Sequence, residues 1–352
     1  MKARAGDVYT VFNNYLGRYT ACQVAYIAPP DAVSKQPGAV ILSLDWVGDA
    51  PLTKDELPNL RPLYKDFMYW QRDLHLLRVP IEVPQQYTLV GTLPSFTDKP
   101  CRSYGGWSDG YDVYRQIKWQ AIPEKRRQAF KEAIESDEQT EIGGVHVKVN
   151  SHRVMDQYLP FSSALELRVL PCLSTLVCEQ WHPDLIEFLR ENPFIDELTL
   201  LHHGQKTLDL RGTNVRKLML DMTGLEELWV SDCTEYLLFQ TEDPDVCTIH
   251  APESGKYLTL DFTGQYRPHP ELVNLRGLYG ARLKVFDLSL LEKTHPHLRE
   301  LRLWGAPGTL VNFKTVSKLP ELARFSCFDL FGFGADEIPT PEQMPNLSWF
   351  WM

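Results

Sequence analysis

The sequence lacks the signatures of several large protein classes. No stretch approaches the roughly 18 consecutive apolar residues that a membrane span needs, and the opening MKARAGDVYTVFNNY has no apolar run like that of a signal peptide. No G-x-G-x-x-G stands between a strand and a helix, and Tyr104-Gly105-Gly106-Trp107 lacks the Lys-Ser/Thr that follows in a phosphate-binding loop. We therefore expect a cytoplasmic protein that binds neither a membrane nor a nucleotide.

The cysteines form no recognisable disulfide or metal pattern. Their number is odd, no C-x-x-C occurs, and several stand where an aliphatic residue would serve. This usage favours buried thiols over disulfides or a zinc site, and it fits a reducing compartment. The positions are Cys22, Cys101, Cys172, Cys178, Cys233, Cys247 and Cys327.

The sequence also offers no convincing set of catalytic or metal-binding residues. His202-His203 and His295-Pro296-His297 have no third ligand at a recognisable spacing, which favours surface or capping histidines. His182-Pro183-Asp184 stands where a helix would begin, and we interpret it as a helix cap. Ser108-Asp109-Gly110-Tyr111-Asp112 has too few carboxylates for a calcium site and is interpreted as a loop. We predict no catalytic residue, no metal and no cofactor.

The acidic residues are unevenly distributed. Residues 1–150 hold 18 basic and 18 acidic residues, so residues 151–352 hold 18 basic and 28 acidic ones and carry the whole net charge of −10. Such a field repels nucleic acid and anionic membranes and attracts basic proteins, although acidity could also serve solubility alone. The basic run Glu124-Lys125-Arg126-Arg127 is mixed with acid, which indicates a solvated helix face rather than a nucleic-acid site.

Internal repetition is the strongest pattern in the sequence. A motif of the form LxxLxL recurs through the second half at spacings of about 10 to 25 residues, close to the 20 to 29 of leucine-rich repeats. Each L-x-L predicts a short strand whose two apolar side chains point into the core and whose middle residue points out. The copies are Leu173-Leu176-Cys178, Ile195-Leu198-Leu200, Val215-Leu218-Leu220, Leu225-Leu228-Val230, Leu283-Phe286-Leu288, Leu298-Leu301-Leu303, Leu322-Phe325-Cys327 and Leu347-Phe350-Met352, with weaker copies at Leu208-Asp209-Leu210, Leu258-Thr259-Leu260 and Leu275-Leu278.

The segments between these predicted strands differ in length. Residues 182–193 have room for a helix, whereas between about residues 198 and 230 the gaps shrink to roughly ten residues and predict strands and tight turns only. We predict an irregular leucine-rich-repeat solenoid with a parallel sheet over residues 156–352. Stacked units of this kind leave the outer faces of their strands as a concave surface.

The first part of the chain predicts a small α+β domain, mainly β, over residues 1–155. Pro123 suits the first turn of a helix, which we expect to run to about residue 136. Four strands are predicted, the first two as a hairpin, and Pro80 favours an edge position for the fourth. They cover residues 6–12, 19–27, 39–46 and 78–83.

The segment GDVYTVFNNYLGRYTACQVAYI resembles the opening of the twenty-sixth family of bacterial immunity proteins, which belong to polymorphic toxin systems. That family starts with Gly-Asp-Val, a strand, a turn with Gly-x-Tyr, and a second strand that ends near Gln or Arg followed by Val. The chain departs at Val11-Phe12-Asn13, where the family usually has Ile-Pro-Leu. The resemblance implies a protein that neutralises a toxin from another bacterial cell by tight binding, without turnover. The matching residues are Gly6, Asp7, Val8, Gly17, Tyr19, Gln23 and Val24.

The alternation of side chains along a strand predicts which residues the repeats expose. The set mixes acids with large aromatic rings, the composition of protein-binding anchors, because a rigid ring buries much area at little entropic cost. Rings that cover the end of the array or pack on the front domain are the alternative. The predicted partner-binding residues are Glu197, Thr199, Glu227, Trp229, Ser231, Tyr257, Thr259, Asp261, Asp287, Glu300, Arg302, Trp304, Arg324, Phe328, Trp349 and Trp351.

The segment LSWFWM is predicted to form one more strand of this kind. We expect Leu347, Phe350 and Met352 to point inward and Trp349 and Trp351 to point outward.

Two functions fit these patterns. The first is an immunity protein that holds a cognate toxin, expected to be basic, and occludes or distorts its active site. The alternative is an adaptor or scaffold that binds an endogenous protein inside the cell. A third, an enzyme that reverses a toxin's modification, would need a carboxylate or histidine cluster that the sequence does not display.

Overall fold

The computed structural model describes residues 1–240, 247–251 and 258–352 and divides the chain into two units, Met1–Glu132 and Ala133–Met352. Each unit has its own main β-sheet and its own buried hydrophobic clusters. No helix in these described ranges combines the length and the apolar character needed to cross a membrane.

The N-terminal unit is mainly β, and its main sheet is antiparallel. Its strands are β1 (Asp7–Asn13), β2 (Arg18–Ala28), β3 (Gly38–Gly48), β4 (Tyr64–Lys65), β5 (Asp73–Leu74), β6 (Leu77–Pro80) and β7 (Thr88–Thr92). Five of them form one sheet in the order β6-β3-β2-β1-β7, while β4 pairs with β5. The pairing of β1 with β2 confirms the predicted hairpin, and β6 occupies an edge, as Pro80 predicts.

Both faces of this five-stranded sheet are buried, because successive side chains of a strand point to opposite sides. Val8 packs in one hydrophobic cluster with Leu42 and Leu44. Its neighbour Tyr9 packs in a second cluster with Val24 and Val79. The sheet therefore forms the centre of the unit.

Two helices follow the sheet, and the sequence predicts only the second. They are α1 (Tyr111–Ala121) and α2 (Glu124–Ile134), and α2 confirms the helix expected after Pro123. The interpretation of Ser108–Asp112 as a loop is wrong at its end, since α1 begins at Tyr111. Gly110 supplies the left-handed conformation before the first turn, at φ 75°. Aromatic and β-branched residues in α1 weaken its helical signal in the sequence.

The C-terminal unit consists mostly of strands. They are β8 (Gln139–Ile142), β9 (Val145–Lys148), β10 (Arg153–Met155), β11 (Thr175–Cys178), β12 (Glu197–Leu200), β13 (Thr207–Asp209), β14 (Lys217–Leu220), β15 (Glu227–Trp229), β16 (Tyr236–Phe239), β17 (Thr248–His250), β18 (Leu258–Thr263), β19 (Leu275–Asp287), β20 (Glu300–Val311), β21 (Arg324–Phe331) and β22 (Trp349–Trp351). Ten of them form one sheet, called the long sheet below, in the order β10-β11-β12-β14-β16-β18-β19-β20-β21-β22. All of its neighbouring strands are parallel.

The parallel register of the long sheet aligns the repeated leucines in continuous rows. From Leu176 to Phe325 the residues of one such inner row are at most 1% exposed, and each fully buried leucine contributes about 1.5–3 kcal/mol of transfer free energy. A slip of one residue would turn the row to solvent, so burial fixes the register. This row runs through Leu176, Leu198, Leu218, Leu237, Leu260, Leu278, Leu301, Phe325 and Phe350.

A second parallel sheet, called the short sheet below, has the order β13-β15-β17. Between β12 and β18 the chain alternates between the two sheets, and Leu208, Leu228 and Ile249 of the short sheet reach the same core as the inner rows. The prediction of strands and turns without helices is confirmed here between residues 198 and 230. The prediction that all of these strands lie in one parallel sheet is wrong. The segments that return the chain between strands of the long sheet are here too short for helices, and they form the strands of the short sheet instead.

Other return segments are helical. They include α3 (Leu185–Glu191), which confirms the helix predicted within residues 182–193, and α4 (Ser289–Thr294). Single 3-10 segments, Ala164–Val169 and Phe313–Lys318, serve the same purpose at two other places. The seven cysteines all lie in described residues, where none of them forms a disulfide, and five of them are buried.

His295 follows α4 and is buried in this core, with neither ring nitrogen hydrogen-bonded. Its interpretation as a surface or capping histidine is therefore wrong. The ring of Tyr266 lies edge-on to it, with 6.4 Å between ring centres, and His269 and Glu271 are the charged or titratable groups that act on it. The pKa of His295 is lowered to about 4, mainly by burial and in smaller part by the nearby His269, while Glu271 opposes the shift.

Acid should therefore destabilise the C-terminal unit through His295. The unfolded chain binds a proton at this residue below about pH 6.5, whereas the folded chain binds it only below about pH 4. Stability should fall as the pH drops through this window, by about 3 kcal/mol in total. Urea unfolding between pH 7 and pH 4.5 should show a smaller loss for His295→Leu than for the wild type.

The exposed neighbour His297, whose Nδ1 lies 2.6 Å from Glu321 Oε1, provides a control of the same residue type. Because exposed ion pairs contribute little to stability, His297→Leu should change the pH dependence much less than His295→Leu. Equal pH dependence in the wild type and His295→Leu would contradict the effect assigned to His295.

Candidate protein-binding surface

The long sheet presents two rows of side chains on the face opposite its core, called the outer face below. These positions alternate with the inner rows. The first row is Arg153, Thr175, Glu197, Lys217, Tyr236, Thr259, Gly277, Glu300, Arg324 and Trp349, and the second is Met155, Val177, Thr199, Met219, Leu238, Asp261, Tyr279, Arg302, Ser326 and Trp351. Trp304 and Phe328 are register partners two residues beyond the second row and lie on the same face.

The outer face brings together eleven of the sixteen predicted partner-binding residues. Glu227 and Trp229 lie on the short sheet instead, and Tyr257 falls outside the described residues. A binding role stays a prediction for all sixteen. The eleven on the outer face are Glu197, Thr199, Thr259, Asp261, Glu300, Arg302, Trp304, Arg324, Phe328, Trp349 and Trp351.

The remaining two predicted residues, Ser231 and Asp287, support turns of the chain. Ser231 is fully buried, so its expected exposure is wrong, and its hydroxyl donates to the carbonyl oxygen of Thr213 at 2.5 Å. Asp287 ends β19, and its Oδ1 accepts hydrogen bonds from the backbone N–H of Ser289 at 2.9 Å and from the side chain of Asn312 at 2.8 Å. These bonds lower the pKa of Asp287 and hold the start of α4.

Four aromatic rings, Trp304, Phe328, Trp349 and Trp351, form one group on the outer face, called the aromatic patch below. Trp304 stacks on Phe328 with 5.7 Å between ring centres and an interplanar angle of 12°. The ring of Trp351 stands edge-on to Phe328 at 4.4 Å, and Trp349 lies 6.0 Å from Trp351. The three indoles are 41% to 54% exposed. Rigid aromatic rings grouped in this way are typical of protein-binding anchors.

The strand β22 departs partly from the predicted orientation. Trp349 and Trp351 point outward as expected, but Phe350 and Met352 are 37% and 45% exposed rather than buried. Phe350 stacks one face on the buried ring of Phe325, with 5.6 Å between centres. Its other face is uncovered because β22 is an edge strand that pairs with β21 only.

Glu300 organises the charges beside the aromatic patch. Its carboxylate accepts hydrogen bonds from Arg302 Nε at 2.8 Å and from the hydroxyl of Tyr279 at 2.9 Å, and Arg324 lies 3.9 Å away. The guanidinium of Arg302 also lies over the ring of Tyr279, 4.8 Å from its centre. Because Glu300 is only 9% exposed, these partners replace the water that it loses.

The other acids of the outer face are paired as well. The hydroxyl of Tyr236 donates to Asp261 Oδ2 at 2.6 Å, and Lys217 lies 2.5 Å from Glu197. Burial raises the pKa of Asp261. The two outer rows hold four basic and three acidic residues, so the acidic excess of the second half of the chain does not lie in these rows.

The sequence reasoning missed the tyrosines of this network. Tyr236 and Tyr279 occupy the first and second outer rows and hold Asp261 and Glu300. Tyr236 begins the strand YLLF, in which Leu237 and Phe239 match the L-x-L part of the repeat. The strand differs from the full copies of the LxxLxL motif because no aliphatic residue stands three positions before Leu237. Alignment of this strand with the repeats would have placed the tyrosine on the outer face.

The short sheet carries a different stack of side chains. The ring of Trp229 lies parallel to that of His250, with 4.4 Å between centres and an angle of 11°. The guanidinium of Arg211 lies 5.4 Å from the centre of Trp229 and forms an ion pair with Asp209 at 2.8 Å. The ring of Trp229 is thus already packed against neighbouring side chains of the short sheet.

The N-terminal unit contains a buried charged cluster. Lys65 Nζ lies 2.7 Å from Asp112 Oδ2 and 2.8 Å from His75 Nδ1, and the centre of the Trp70 ring is 4.7 Å away. Burial lowers the pKa of Lys65, and the hydrogen bond with Asp112 opposes this effect. With these partners around the ammonium group, the cluster ties the hairpin of β4 and β5 to α1.

The motif residues near the N-terminus hold the segment that follows β7. Gly6 has φ 85°, and a Cβ there would lie 2.7 Å from the carbonyl oxygen of Leu93. Gln23 Nε2 donates to the carbonyl oxygen of Pro94 at 3.0 Å, and its Oε1 accepts from Phe96 N at 3.1 Å. Asp7 accepts from the Tyr9 hydroxyl at 2.9 Å. These residues therefore have a structural reason to occur together.

No model of a protein family matches the chain, and no curated protein matches it either.

Removal of the Glu300 carboxylate should destabilise the long sheet. Glu300→Ala leaves Arg302 and Tyr279 without their acceptor, and we expect the free energy of unfolding to fall by about 2–3 kcal/mol in urea titrations at pH 7. Glu197→Ala is the matched control in the same row. Its ion pair with Lys217 is more exposed, so that substitution should cost less than about 1 kcal/mol. Equal costs at the two sites would contradict this account of Glu300.

Proposed function

We propose that this chain is an immunity protein that binds a bacterial toxin through the outer face of its long sheet and blocks it without turnover. The observation that carries the proposal is the aromatic patch, whose three indoles are 41% to 54% exposed while in contact with one another or with Phe328. A contiguous group of exposed aromatic rings usually marks a site of interaction with another molecule. Well-packed aromatic rings also supply most of the energy in measured interfaces.

We further propose that the long sheet is built from irregular leucine-rich repeats. The continuous inner rows and the alternation of sheet strands with helical or β return segments support this architecture. In such an array each inner strand is held by its two neighbours and the edge strand β22 by β21, so the outer face is preformed. A partner that docks on it loses little free energy in ordering the surface.

The toxin as partner is supported by the resemblance of the N-terminal motif to immunity proteins. Gly6, Asp7 and Gln23, which carry much of that resemblance, support the fold of the N-terminal unit through their local contacts. We therefore give these residues a structural role rather than a contact with the toxin. Toxin binding is therefore assigned to the aromatic patch.

We predict that the toxin is basic, because the chain carries a net charge of −10. That charge would raise the rate of association with a basic partner. The paired acids of the outer face are already held by Arg302, Lys217 and Tyr236, so they have little capacity left for a partner. Affinity is therefore expected to depend on the rings.

The direct test is co-production with the protein encoded immediately upstream in the same genome. We expect this chain to restore growth of a bacterial host that the upstream protein kills, and the two proteins to purify as a stable complex. A host that dies in spite of abundant folded chain, with no complex formed, would exclude the proposed function. A complex with a protein encoded elsewhere, in the absence of any rescue, would favour the adaptor.

Substitutions in the aromatic patch should weaken that complex. Trp304→Ala and Trp351→Ala are each expected to reduce affinity by at least about 30-fold in calorimetric titrations, the effect of losing a central aromatic anchor. Trp229→Ala is the matched control, since it removes the same residue type from the short sheet, and we expect its affinity to stay within about threefold of the wild type. The opposite pattern would place the binding surface on the short sheet.

A further inference from the structure

Three potential metal ligands converge in the core of the C-terminal unit. Asp156 directly follows β10, Cys178 is the last residue of β11, and His182 lies in the segment between β11 and α3. One ligand atom from each residue lies within 4.8 Å of the other two, and all three side chains are buried. The cluster is independent of the outer face and of the proposed toxin binding.

The position of this cluster is unusual for polar side chains. Cys178 belongs to the second inner row of the long sheet, in which its successive register partners Leu200 and Leu220 are aliphatic. Asp156 follows β10 at the same level, and its backbone N–H donates to the carbonyl oxygen of Val177 at 3.1 Å. A carboxylate side chain that is 3% exposed needs strong compensation for its lost hydration.

The hydrogen bonds of Asp156 orient the carboxylate without saturating it. The backbone N–H of Glu179 lies 2.9 Å from both carboxylate oxygens, and that of Gln180 lies 3.3 Å from Oδ2. A carboxylate has about four acceptor positions, so at least one remains for a further ligand. Backbone donors of this kind are what hold ligating carboxylates in known metal sites.

The imidazole of His182 is oriented in the same way. Its Nε2 lies 3.4 Å from Asp156 Oδ2, and its ring packs against Phe161 with 4.4 Å between ring centres. The expected cap role of the His182-Pro183-Asp184 segment belongs to Asp184 alone. Its Oδ1 accepts from the backbone N–H of Ala164 at 3.0 Å and so supports the 3-10 segment Ala164–Val169 rather than α3.

We propose that Asp156, Cys178 and His182 bind one Zn²⁺ ion. A thiolate sulfur, an imidazole nitrogen and a carboxylate oxygen are the ligand types that zinc takes in proteins, whereas a site with sulfur and nitrogen ligands is unsuited to Mg²⁺ or Ca²⁺. The thiolate and the carboxylate together balance the two positive charges of the ion. The buried complex is then neutral, which removes the cost of an isolated charge in the core.

Binding exchanges a proton for the metal. The S–H bond of Cys178 breaks, the proton passes to solvent, and the sulfur electron pair forms the bond to zinc. His182 contributes the electron pair of a neutral ring nitrogen, and no group is oxidised or reduced. Because the metal replaces the thiol proton, binding should weaken as the pH is lowered.

The test measures metal in the full chain produced without a histidine tag. We expect about one zinc ion per chain by mass spectrometry, either as purified or after refolding from urea with added Zn²⁺. Refolding with Co²⁺ should give the charge-transfer absorption of a cobalt–thiolate bond. Cys178→Ala should abolish that absorption and lower the zinc content to less than about a tenth of an ion.

Cys327→Ala is the matched control, because Cys327 is a buried cysteine in the same inner row on β21. It should keep both the zinc and the cobalt spectrum. The wild-type measurements decide the question even where Cys178→Ala fails to fold. Wild-type protein that takes up neither ion would overturn the proposal and leave a hydrogen-bonded Asp156–His182 pair. Metal that persists unchanged in folded Cys178→Ala would also overturn it.

Discussion

The rest of the C-terminal unit depends on the parallel register of the long sheet. The register places the leucines of each strand over those of its neighbours, and their burial makes any slip costly. Once the inner rows are fixed, the side chains between them must point to the opposite face of the sheet. The outer face is therefore a consequence of the core, and its side chains stand about 4.8 Å apart from strand to strand.

That spacing explains why the outer face is nearly neutral. Side chains that are register partners on neighbouring strands are close enough for ion pairs, and Glu197 with Lys217 and Glu300 with Arg324 are such partners. Partial burial strengthens each pair, since a carboxylate that loses water needs a donor in its place. The charges of the sheet thus serve its own stability. The rings, which have no comparable demand for a polar partner, remain available to another protein.

The sequence predicts the inner rows well and the surface less well. The period of the leucines predicts eight of the ten strands of the long sheet, all except β10 and β16, because burial of apolar residues at regular intervals decides the fold locally. It does not predict that β13, β15 and β17 form a separate sheet, because the same L-x-L pattern suits a strand in either sheet. The pattern for this reason predicts Glu227 and Trp229 on the same face as the other candidate residues, whereas they lie on the short sheet. The supporting roles of Tyr236 and Tyr279 depend on neighbours that only the register identifies.

The cluster of Asp156, Cys178 and His182 is a second feature that the sequence alone does not predict. Cys178 and His182 lie close in sequence, but Asp156 joins them only because β10 pairs with β11, so no linear motif describes the set. In the strand order, six steps separate β11 from β20, where the aromatic patch begins, which corresponds to about 30 Å along the sheet. At that distance a substitution at one site leaves the side chains of the other in place. The proposed metal site and the proposed toxin-binding surface are therefore independent of each other, and either can be present without the other.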